Sequence, residues 1–179
     1  MILLMTADAE LKIYEQGLED YPKRKAFFGN IVMIFWISLG AIACWFVHPI
    51  AAFIYLLFAV IMIYVVLRKL VCTNCYYYDK WCGIGWGKLS ALLFKKGDIK
   101  EFNTSIGIQM APIVYGLLSM IPIVLLVISI FQQFSMYKIS VLILILLISS
   151  YSGVVSRKKT CGECKMRLIC PGSAVKKEM

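Results

Sequence analysis

No charged residue occurs between Ala26 and Leu67, a run of 42 residues. A helix that crosses a bilayer needs about 20 mostly apolar residues, because the hydrocarbon core is about 30 Å thick and a helix rises about 1.5 Å per residue. The run is therefore too long for one helix and suits two, with His48-Pro49 marking the break that proline imposes. Further charge-free runs extend from Phe102 to Tyr137 and from Ile139 to Ser156. With 61% hydrophobic residues and a mean hydropathy of +0.80, the 179-residue chain reads as an integral membrane protein.

Taken in order, the pattern predicts spanning helices at Phe27–Val47, Ile50–Leu67, Ile108–Phe131 and Ile139–Val155, with Gln132–Lys138 as the last turn. Pro112 and Pro122 predict bends in the third helix, which membrane helices tolerate. The expected fold is an all-α integral membrane protein whose four transmembrane helices form two tandem hairpins. Its segments are a cytoplasmic amphipathic N-terminal segment (1–25), a first hairpin (26–67), a cytoplasmic Cys-rich loop (68–107), a second hairpin (108–156) and a cytoplasmic Cys-rich tail (157–179). Leu11, Tyr14 and Leu18 recur at helical spacing and predict a short surface helix before Pro22. The apolar patch Met1–Met5 is too short for the core of a signal peptide, so the chain is expected to keep its N-terminus. Ala41-Ile42-Ala43-Cys44 is read as a helix-buried cysteine rather than a lipoprotein cleavage site.

Orientation follows from the basic residues, which are retained on the cytoplasmic side. All but one of the 19 Lys and Arg fall in the N-terminal segment, between Arg68 and Glu101, or in the tail, and Lys138 alone sits in a turn on the other side. Both termini are thus expected in the cytoplasm, with the protein integral to the cell membrane. All ten Asp and Glu share that side and leave it net basic. That surplus fits anionic lipid headgroups as partners rather than nucleic acid.

Six of the seven cysteines gather in two clusters, each placed after an apolar run. Cys72, Cys75 and Cys82 are spaced C-x2-C-x6-C, and Cys161, Cys164 and Cys170 are spaced C-x2-C-x5-C. A shift of 89 residues superposes Arg68, Lys69, Cys72 and Cys75 on Arg157, Lys158, Cys161 and Cys164, which points to an internal duplication with both clusters at one end of a helical bundle. The cytosol is reducing, so such spacing points to a metal rather than disulfides. A tight turn aims the two thiolates of C-x2-C at one ion and a third Cys closes over it. Cys72, Cys75, Cys161 and Cys164 would complete a four-thiolate zinc site. An iron-sulfur cluster is the alternative cofactor, with Cys82 and Cys170 as further ligands or substitutes, and the Cys170-Pro171 step favours it. The first cluster's spacing also resembles the half-motif of the fungal binuclear zinc module, which implies two zinc ions on six cysteines.

Other chemistries are excluded or weakly supported. His48 is the only histidine, so a haem with two histidine ligands is ruled out. Gly83, Gly85, Gly87 and Lys88 lack the spacing of a phosphate-binding loop and read as glycines that let the backbone fold tightly past the cysteines, ahead of a short interfacial helix at Leu89–Phe94. Tyr76, Tyr77, Tyr78, Trp81 and Trp86 read as an aromatic belt at headgroup depth. No Asp, Glu, Lys or Arg is expected within a span, and Ser38, Ser119, Ser129, Ser149 and Gln109 are expected to serve helix packing. The resulting expectation is a non-enzymatic membrane scaffold whose metal-stapled cytoplasmic head docks a protein partner, with a second copy of the chain as another admissible partner. The competing expectation is an iron-sulfur electron-transfer protein that serves a quinone or a redox enzyme.

Overall fold

The computed structural model describes residues 13–175. Among them α1 is Lys23–Trp45, and α2 is the rod Pro49–Cys72, α-helical over Pro49–Val60 and continued by π-helical turns at Ile61–Val66 and Arg68–Cys72. A short α3, Trp86–Leu93, precedes α4 at Ile106–Gln132. The last rod, α5, is Met136–Gly162, with a π-helical stretch at Tyr151–Ser156. The rods α1, α2, α4 and α5 are each long and apolar enough to cross a membrane.

Local chemistry sets the ends. His48 caps α2, its Nδ1 accepting the Ile50 N–H at 3.2 Å, and Pro49 fills the first helical position, where a missing N–H costs nothing. Ser105 Oγ accepts the Gly107 N–H at 3.3 Å at the start of α4, and that helix runs on through Pro112 and Pro122.

The helices outrun the expected spans at several ends, and of the charged residues this takes in, two are buried. Because α5 begins at Met136, Lys138 lies in its first turn, only 7% exposed, and not in a loop. Its Nζ donates to the carbonyls of Ser129 and Gln133, both at 2.9 Å. These lie at the C-terminal end of α4, where unpaired carbonyls favour a cation. Because α2 runs to Cys72, Arg68 is helical and fully buried. It stacks on two aromatic rings, which lets the helix continue past the charge.

A second correction concerns the N-terminal segment. Residues 13–22 make turns and one isolated bridge, Leu18 with Cys164, instead of the expected amphipathic helix; the remainder of that expectation lies outside the described residues. The amides a helix would have used are spent on other partners. Tyr14 N–H donates to Lys165 O at 3.0 Å, Leu18 N–H to Glu163 O at 2.9 Å, and Tyr21 N–H to Trp81 O at 2.8 Å.

The bundle is built around α1, which packs on α2, α4 and α5. Small residues allow the approach: Gly40, Ala41, Ala43 and Cys44 of α1 and Ala52 and Ala59 of α2 are buried. Gly40 leaves the room that the Tyr55 ring fills, and the Tyr55 hydroxyl crosses to α4 to donate to Leu118 O at 3.0 Å. Two of the expected serine contacts join helices, Trp36 Nε1 donating to Ser149 Oγ at 3.0 Å and Ser129 Oγ to Phe46 O at 3.2 Å. Ser38 and Ser119 bond within their own helices. Outward, Phe27, Phe35, Phe53, Leu57, Ile113 and Leu147 are exposed, a surface suited to lipid.

Candidate metal centre

Each cysteine loop begins where a rod ends, and the two loops share a backbone course. Cys75 N–H donates to Cys72 O at 3.4 Å, Tyr78 N–H to Cys75 O at 3.0 Å and Lys80 N–H to Tyr77 O at 3.0 Å. The same three bonds recur 89 residues on: Cys164 to Cys161 at 3.3 Å, Arg167 to Cys164 at 3.1 Å and Ile169 to Met166 at 3.0 Å. Successive turns of this kind bring the second cysteine back over the first. The sulfurs receive matched donors too, the Tyr77 N–H at Cys75 and the Met166 N–H at Cys164. In the first loop a third sulfur, Cys82 Sγ, accepts the Trp86 N–H at 3.1 Å from the start of α3.

The glycines after Cys82 act as expected. Gly85 takes φ +73°, a left-handed turn that glycine adopts at no steric cost, and a Cβ on Gly87 would stand 1.8 Å from Tyr77 O. The close approach lets α3 start immediately beneath the first loop. It starts at Trp86, earlier than the expected Leu89, and keeps Leu92 and Leu93 exposed.

Both loops and the strap at residues 13–22 form one head. The Tyr77 hydroxyl joins all three: it donates to Leu18 O at 2.6 Å, accepts the Lys165 N–H at 3.1 Å and lies within hydrogen-bonding reach of the Cys164 thiol. Tyr21 donates to Thr160 O at 2.8 Å, Lys25 pairs with Glu163 at 2.5 Å, and Asp20 accepts the Trp81 N–H at 2.8 Å. The aromatic-belt reading is corrected here for Tyr77 and Trp86, which are buried inside the head. Hydroxyl groups that meet backbone partners across loops make better struts than lipid anchors.

Burial pushes the Cys75 thiol upward, and it pushes that of Cys164 up to about 11. Unloaded, both are neutral at physiological pH, so a metal ion must displace their protons to bind. Cys75 lies within electrostatic reach of Cys72, Cys82 and Cys164, and Cys164 within reach of Cys161 and Cys170. The two triads defined by the sequence, Cys72, Cys75 and Cys82 and Cys161, Cys164 and Cys170, thus meet near Cys75, Tyr77 and Cys164. No disulfide joins any of the seven cysteines, and Cys44 is buried in α1 as expected. Among the described residues, no three His, Cys, Asp or Glu side chains converge closely enough to hold a metal ion as they stand.

Sequence reading missed Arg68 and Tyr77. Tyr64, Arg68 and Cys72 are spaced four apart and share one helix face, a signal present in the sequence but masked by reading Arg68 as a topology marker. The joint at Tyr77 had no such signal, since Leu18, Tyr77 and Lys165 are far apart in the chain. No protein family, curated protein or solved structure matches this chain.

Proposed function

We propose that the protein is a membrane scaffold whose head, on the cytoplasmic side, binds soft metal through Cys72, Cys75, Cys82, Cys161, Cys164 and Cys170, with zinc the favoured metal, and docks a protein partner. The observation that carries this reading is the repeated loop: two C-x2-C turns of the same backbone course, each aiming an N–H at the sulfur of a half-buried second cysteine. N–H donors at sulfur stabilise thiolate, the form that binds metal. An internal duplication accounts for the repeat, and the π-helical stretches at Ile61–Val66 and Tyr151–Ser156, just before the two loops, support it. The basic surplus near these loops orients them to the cytoplasm and to anionic headgroups. Ligand sets of this kind are drawn together by the ion itself, because metal binding is coupled to local folding.

An iron-sulfur centre serving a quinone or redox enzyme is the second reading. A run of ring contacts favours it: Tyr21 to Tyr77 at 5.5 Å and Tyr77 to Tyr76 at 5.4 Å, beside both loops. Anaerobic purification followed by metal analysis and visible spectroscopy separates the two. Near-stoichiometric zinc without absorption around 400 nm supports the scaffold and excludes the cluster, whereas iron with acid-labile sulfide does the reverse. Docking is tested by affinity capture from detergent extracts. A stoichiometric partner lost on Cys72→Ser with Cys75→Ser supports the scaffold, and equal recovery from the mutant rejects it.

A further inference from the structure

Arg68 is the largest side chain with under 2% exposure in the described structure. Its guanidinium carbon sits 4.4 Å from the centroid of the Tyr64 ring and 4.9 Å from that of Trp86. Stacking offsets part of the cost of burying the charge but engages none of its N–H groups. Nε, Nη1 and Nη2 are all buried, and none has a hydrogen-bond partner among the described residues. The same holds for Trp86 Nε1 and Ser90 Oγ, which lie one turn apart on the buried face of α3. That helix packs against the Arg68–Cys72 turn. Five buried polar atoms, each able to donate, therefore occupy one region of the head.

Such a concentration of donors suits an anion. The thiols within electrostatic reach of Arg68 are Cys72 and Cys82. A neutral thiol accepts weakly, whereas a metal-bound thiolate keeps lone pairs and negative charge. Three thiolates on one divalent ion leave one net negative charge, which a single guanidinium balances. Arg157, the counterpart of Arg68 under the 89-residue shift, is exposed and donates instead to Gly172 O at 2.6 Å. The two triads are therefore not equivalent.

We propose that Arg68, Trp86 Nε1 and Ser90 Oγ form a donor cradle for the metal-loaded thiolates of Cys72 and Cys82, giving the first triad a built-in counter-charge that the second lacks. The inference rests on the metal-binding reading, and Arg68 is a positioning residue, not a ligand. The test is titration of the full-length protein in detergent with Cd2+, followed by thiolate-to-cadmium absorption. Arg68→Met is expected to weaken the tighter binding phase by roughly 10- to 100-fold, the usual loss when a partner of a metal ligand is removed. Arg68→Lys should fall between, since it keeps the charge without the planar fork. Arg157→Met should leave that phase unchanged. Unloaded Arg68→Met protein should melt no lower than the wild type, because an apolar chain replaces an unpaired buried charge. Wild-type cadmium affinity in Arg68→Met, or a lower melting temperature with unaltered affinity, overturns the cradle. A wild-type protein that shows no thiolate-to-cadmium absorption overturns the metal reading itself, a result visible before any variant is made.

Discussion

One hydroxyl bridges three segments of the head. Tyr77 Oη contacts Leu18 O and Lys165 N–H, so the strap and the second loop meet on a residue of the first. A hydrogen bond contributes about 1 kcal/mol net, and a buried partner left unpaired costs about 1–3 kcal/mol. Tyr77→Phe keeps the ring and its edge contact with Tyr76 but removes both bonds. The variant is expected to open the head, with cleavage between residues 13 and 22 rising several-fold in limited proteolysis while helix content by circular dichroism holds. Unaltered cleavage would show that Lys25–Glu163 and Tyr21–Thr160 suffice as joints.

Among the elements, α3 depends most on backbone geometry. Its start beneath the first loop relies on glycine at position 87, where any Cβ meets the Tyr77 carbonyl. Gly116 in α4 has nothing within 4 Å of where a Cβ would sit. The two glycines therefore predict opposite responses to one substitution. Gly87→Ala is expected to displace α3 and abolish cadmium binding by the first triad, while Gly116→Ala gains up to about 1 kcal/mol of helix propensity and leaves binding intact. Melting curves and cadmium titration of the pair check this, and a Gly87→Ala protein that binds normally would show that the loop tolerates a wider approach to α3.

For the whole molecule the central question is which side the head faces. Phe134, exposed between α4 and α5, and Lys96, exposed after α3, lie toward opposite ends of α4. If the head is cytoplasmic, a membrane-impermeant maleimide applied to intact cells will label Phe134→Cys and leave Lys96→Cys unlabelled until the cells are permeabilised. The wild type supplies the background control, since its six loop cysteines belong to the head and Cys44 is buried. Labelling of Lys96→Cys from outside would reverse the orientation.

Four long apolar helices, the break at His48-Pro49 and the paired cysteine spacings were legible in the residues alone. Length against bilayer thickness, proline chemistry and turn geometry are local properties that need no partner. The sequence was also sufficient to place the glycine turn past Cys82, because a left-handed φ narrows the choice of residue. Burial of Arg68 and Lys138 was beyond it, since a charge near a helix end has the same local sequence whether it meets water, a ring face or a row of carbonyls. The fate of residues 13–22 was likewise a tertiary outcome: their helical spacing is genuine, but backbone partners at Lys165, Glu163 and Trp81 outcompete a short helix that has little stability alone. The same packing set Tyr77 of the first loop against the strap and the second loop, a position no local pattern encodes.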